Sequence, residues 1–369
     1  MVYNKKNIWA DKWHSKEDIL FLGENPFYLL GIHSADDAAD IGKAVRRKIE
    51  EDPENASLYQ EAGHILRQGA NRSEAEFYWL TGWAENPIEW VSSLLQGKAE
   101  KQEIPSLSPR LHLLCEMNQL YYGKPVELAS LLNIETYFSQ LSPQDGMEEI
   151  NEERKKAGFP LLTDASAIEH YTQDILYQIG LAARKAAKRI AAAQYGEMLY
   201  AFGRQGKRGL VYYQLMVCYE AGYQGEICLL EKEAEMRLSK KGRWKKEETE
   251  DFFKSLQSLL SLWKPLYGRD GLWVVQPLFD RCRNRMIDFY RSGNPRMAEQ
   301  WLGRLKALFS FSPALVEKLT MDDILIRQGG NLLKEGRVET DTSGFPKEKI
   351  LFWVFMGFLI IGAAWHYCI

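Results

Sequence analysis

The sequence predicts an all-α protein, on three observations. Apolar residues recur at three- and four-residue intervals through most of the chain. No segment sustains the two-residue alternation of a half-buried strand. The interruptions are short Pro, Ser and Gly clusters, "IPSLSP", "LSPQDG" and "AGFP", of the kind that separate helices. At 369 residues, 46% of them hydrophobic, the chain can bury more than one core. A charged fraction of 26% and a net charge of -3 give no global bias toward nucleic acid or acidic membranes.

Residues 1–24 form an amino-terminal extension. They lack a continuous apolar run, so a cleaved signal peptide is not expected. A helical domain follows over 25–88. Asn25 is placed to cap a turn begun by Pro26, with Phe27 and Leu30 on one face. Ser34 and Asp37 match a capping box for a second helix that buries Ile41, Ala44, Val45 and Ile49 and carries Lys43, Arg46, Arg47 and Lys48 on its other face. Pro53 ends that helix, and a third places Leu58, Ala62, Ile65 and Leu66 on one side. Ser73 and Glu76 read as another capping box, starting "SEAEFYWLTGW".

A larger helical body is expected over 89–335, with solenoid-like packing of helix pairs but no shared repeat signature. One long alanine-rich helix is predicted from Asp164 to Arg204, capped by Asp164 or Ser166. Further helices are predicted over 210–219, 226–238, 247–263, 272–291, 295–309 and 313–328. The polar segment 336–349 reads as a tether. Beyond it, "ILFWVFMGFLIIGAAWHYCI", from Ile350 to Ile369, is apolar apart from His366. A helix of that length spans about 30 Å, the thickness of a hydrocarbon core. Lys347 and Lys349 before it place the body on the cytoplasmic side. A single-pass tail anchor in the cytoplasmic membrane is therefore expected.

The stretches "NPFYLLGI", "ADDAADIGKAVRRK" and "YQEAGHILRQGANRSEAEFYW" together resemble the J-domain, the helical module of DnaJ-type co-chaperones, and more closely its divergent relatives in bacterial proteins. The resemblance covers about a quarter of the chain. It implies a basic second helix that meets an acidic surface on a DnaK-type chaperone, which would fall on Lys43, Arg46, Arg47 and Lys48. The family's His-Pro-Asp signature belongs in the turn after that helix. Here the turn reads "EEDPENAS": Asp52-Pro53 is present and no histidine precedes it, so the resemblance implies a retained fold without stimulated ATP hydrolysis.

No catalytic, cofactor or metal site is apparent. The histidines His14, His33, His64, His112, His170 and His366 form no ligand pair, and Cys115, Cys218, Cys228, Cys282 and Cys368 form no Cys-x-x-Cys. The loop "GRQGKRG" lacks the phosphate-binding spacing, and Trp263, Trp273 and Trp301 read as packing residues. Three basic stretches remain: "RKAAKR", "RCRNR" and the one carrying Lys240, Lys241, Arg243, Lys245 and Lys246 around Trp244. That last stretch is suited to anionic headgroups, or else is a solvated turn balanced by Glu247, Glu248, Glu250 and Asp251. Specific nucleic-acid binding is not expected. The function expected is a membrane-anchored, cytosol-facing scaffold or adaptor that binds protein partners. Two alternatives are an active co-chaperone recruiting a DnaK-type chaperone and an enzyme with its site in the helical body.

Overall fold

The computed structural model describes residues 21–83, 86–98, 107–205, 208–240 and 244–327. Among these the secondary structure is helical throughout, without strands. The chain divides into two compact units, Met1–Tyr219 and Glu220–Ile369. No helix among the described residues is long and apolar enough to cross a membrane. The apolar run predicted to span one, residues 350–369, lies outside the described residues, as does the tether before it.

The first unit opens with α1 (Pro26–Leu30), α2 (Ala38–Glu51), α3 (Ala56–Arg67) and α4 (Gly69–Phe77). The Asn25 side chain accepts from the Phe27 N–H, as its place before Pro26 predicts. Gly31, at φ 65°, ends the helix in the left-handed conformation, and the Ile32 N–H returns to the Phe27 carbonyl. Phe27, Leu30, Ile41, Ile65 and Leu66 are buried in one cluster. That cluster also contains Trp90, Val91 and Leu94 of α5 (Pro87–Leu95) and Leu111 and Cys115 of α6 (Pro109–Tyr122), so the core runs on past the fourth helix. The unit continues through α7 (Leu128–Ser139), α8 (Pro143–Ala157), α9 (Ser166–Ala187) and α10 (Ala192–Gln205).

Two expected caps are something else. The residue capping α2 is Asp37, whose carboxylate accepts from the Ala39 and Asp40 N–H groups at 2.8 and 2.9 Å. Ser34 is instead buried, and its hydroxyl donates to Glu153 at 3.2 Å. The fourth helix begins at Gly69, so Ser73 lies inside it and donates to the Gly69 carbonyl, while Glu76 points into the interior.

The helix expected from Asp164 to Arg204 is broken at residues 188–191. There Arg189 leaves the helical path, and its guanidinium donates to the Leu120, Tyr121 and Lys124 carbonyls at 2.6, 2.7 and 2.9 Å. The Leu120 and Tyr121 carbonyls are among those the end of α6 leaves without partners, and the Lys124 carbonyl lies just beyond it. The opposite correction applies downstream. The helices expected at 210–219 and 226–238 are one, α11 (Leu210–Ser239), because Gly222 and Gly225 lower helix propensity without breaking the helix.

The second unit contains the later part of α11 with α12 (Lys246–Asp270), α13 (Gln276–Arg291), α14 (Pro295–Leu308) and α15 (Pro313–Arg327). Helix α12 extends past its expected end at residue 263 and carries a buried Pro265 within it. The centre of this unit is aromatic: Trp301 stacks on Phe252 at 5.2 Å and meets Trp244, Phe253 and Phe289 edge-on. Such pairs stabilise by about 1 kcal/mol each beyond the area they bury.

Candidate functional site

The amphipathic pattern of α2 decides which of its residues meet solvent. Ile41 and Ala44 are buried against α1 and α3, which leaves Lys43, Arg46 and Arg47 exposed and Lys48 half-buried at the margin. Lys43 pairs with Asp40 at 2.9 Å and Lys48 with Glu51 at 3.2 Å. Arg47 approaches Glu51 at 3.9 Å, and its guanidinium donates to the Leu30 carbonyl at 3.4 Å. Arg46 forms no ion pair among the described residues. Solvated pairs of this kind are weak enough to be exchanged for a partner's carboxylates.

A fifth cation joins this face. The Arg67 guanidinium lies over α2 beside Gly42, where a Cβ would come within 2.8 Å of it. Glycine at position 42 thus lets the exposed end of α3 extend the basic surface. The position of Arg67 at the end of a helix gave no hint of this in the sequence, since the contact is across two helices.

The turn that follows α2 is closed by its own acid. The Asp52 carboxylate accepts from Asn55 at 2.7 Å and from the Tyr59 hydroxyl at 2.9 Å. The hydrogen bonds from Asn55 and then Tyr59 hold Asp52 below the usual carboxylate range. Burial, reinforced by Asp52, pushes the Tyr59 hydroxyl up to about 12. Asp52 is therefore a turn lock, and Glu54 is the exposed acid after Pro53.

The interior of the same bundle is held by buried charge. Arg72 and Arg154 both donate to the Glu76 carboxylate, at 2.5 and 2.7 Å, and all three side chains are essentially inaccessible. Arg72 also reaches the Ser34 and Leu66 carbonyls and lies over the Phe159 ring at 3.8 Å. Arg154 reaches Ser73 and the Gly69 and Pro160 carbonyls. Burial raises the Glu76 carboxyl, and the two guanidiniums oppose that shift. Arg110 of α6 is a second brace, donating to the Phe77, Trp79 and Thr81 carbonyls and to Glu149. These ties bind α4 to α6 and α8 and leave the α2 face on the solvent side.

The basic stretch around Trp244 divides between paired and exposed residues. Trp244 is buried in the aromatic centre, Lys240 pairs with Glu248 at 2.6 Å, and Glu248 also accepts from the Lys245 N–H. Lys245 and Lys246 are exposed, and Lys241 and Arg243 lie outside the described residues. The other two stretches are partly structural: Arg189 caps α6, Arg283 forks onto Asp322 with both bonds at 2.6 Å, and Arg281 pairs with Glu235. Trp263 and Trp301 are packed as expected, whereas Trp273 is 54% exposed.

Among the described residues no cluster of His, Cys, Asp and Glu is arranged to hold a metal ion. Cys115 and Cys282 are buried free thiols, and burial pushes both well above the ordinary thiol range. No family model, curated protein or solved structure matches the chain.

Proposed function

We propose that the chain is a membrane-anchored, cytosol-facing adaptor that binds protein partners. Its amino-terminal helices act as a J-like module with the docking face kept and the signature turn changed. The observation that carries this reading is the exposed basic surface of α2, with Lys43, Arg46, Arg47 and Lys48 extended by Arg67, on a bundle held by buried ion pairs. A rigid scaffold with loosely paired cations suits a partner whose surface is acidic. The turn supports the absence of chaperone activation, because Asp52 is engaged by Asn55 and Tyr59 and no histidine stands there. The apolar run at residues 350–369 supplies the anchor, with a helical body between the two.

The test is co-purification from detergent-solubilised cells with the full chain and with a Lys43→Ala, Arg46→Ala, Arg47→Ala variant. Selective loss of partners from the variant is expected. An unchanged partner set would overturn docking through α2. ATPase measurements on a DnaK-type chaperone separate the two J-like readings: no stimulation is expected, and stimulation lost in the triple variant would make the protein an active co-chaperone.

A further inference from the structure

The second unit contains an open cleft of about 300 Å³ between α11, α12 and the start of α13, at the small end of the range for ligand sites. Glu231 and Glu235 stand one helical turn apart on its α11 wall. Glu235 is already answered by Arg281. Glu231 is not: it accepts from the Trp263 indole N–H and forms no ion pair among the described residues, so the one guanidinium in the cleft lining, Arg281, is committed to Glu235. Burial raises the Glu231 carboxyl above the usual range, the Trp263 hydrogen bond opposes this, and the Glu235 charge adds to it. The same cleft is lined by Pro277, the buried Leu278 and the exposed Trp273 indole. Trp273 presents a large apolar ring to water in a lining that carries two carboxylates and one guanidinium.

We propose that this cleft binds a small primary alkylammonium compound, its ammonium donating to Glu231 and its methylene groups lying over Trp273, Pro277 and Leu278. The chemistry selects that class. A neutral ligand leaves Glu231 without a counter-charge. A quaternary ammonium has no N–H to give the carboxylate. A compact alkylamine supplies the charge, the donors and an apolar stem, and its cation is attracted to the indole faces. The site is independent of the α2 face.

Isothermal titration calorimetry of the full chain with n-butylamine, and with n-butanol as its neutral counterpart, tests this directly. Saturable binding of the amine alone is expected. Trp273→Ala should weaken it about tenfold, through loss of the apolar surface over the methylene groups, and Glu231→Gln should weaken it by at least about tenfold. Circular dichroism checks that each variant is folded; because Trp273 is exposed, that variant decides the matter if Glu231→Gln disturbs the helix. No saturable heat up to about 50 mM amine, equal binding of the alcohol, or unchanged affinity in Trp273→Ala would overturn the proposal.

Discussion

Two groups of basic residues in the first unit make opposite use of the same charge. Arg72, Arg110 and Arg154 are buried, and each donates to several fixed acceptors. Lys43, Arg46, Arg47 and Arg67 are exposed and hold few partners, all of them exchangeable. Burial turns a guanidinium into a brace, since its desolvation must be offset by satisfying every donor. Exposure leaves the charge available to another molecule but makes it nearly irrelevant to folding. The contrast separates structural arginines from candidate docking ones without reference to motif.

Perturbing the buried group should give the largest effects. Glu76→Ala leaves two guanidiniums facing each other in the interior and should cost about 3–5 kcal/mol, read as a lowered urea midpoint with an unchanged slope. If the loss were below about 1 kcal/mol, the three side chains would not be the lock that holds the bundle. Arg110→Ala strips the donor from three carbonyls around residues 77–81 and should cost about 2–3 kcal/mol in the same measurement. Asn25→Ala removes a helix cap and the bond to the Ala75 carbonyl, for about 1–2 kcal/mol.

The exposed group should respond the other way. The triple alanine variant of Lys43, Arg46 and Arg47 should shift stability by no more than about 0.5 kcal/mol while losing its partners. A large drop in stability would collapse the distinction. The smallest effect expected is a pH dependence at the turn. The folded-state pKa of Asp52 is depressed, so its contribution is present above the ordinary carboxylate range and is lost as pH falls through the lowered value. Comparing wild type with Asp52→Asn by acid titration should show a wild-type advantage at neutral pH that shrinks away toward the acidic end.

Much of the fold was legible from residue spacing. The Asn25-Pro26 start, the burial of Ile41 and Ala44 in α2, with Val45 and Ile49 only half-buried, and the helices at 295–309 and 313–328 follow from local rules that the tertiary structure leaves intact. The failures share a cause. Ser73 and Glu76 have the spacing of a capping box, but Glu76 answers Arg154, 78 residues away, and no local pattern encodes that distance. The continuous α11 was read as two helices because glycine weakens a helix without always ending it. For the candidate sites, α2 was visible because exposure follows from periodicity. Arg67 and the Glu231–Trp273 cleft were not, since each is assembled from separate elements.

The Arg189 cross-link has a consequence for motion. It joins the ends of α6 and α9 through three carbonyls lying 65 to 69 residues before it, and Lys185 sits 3.5 Å over the Tyr121 ring in the same place. Two helix termini that would otherwise fray separately are stapled at one point. Their amide protons should therefore exchange with solvent as a single opening event, and freeing one end by Arg189→Ala should quicken exchange at both.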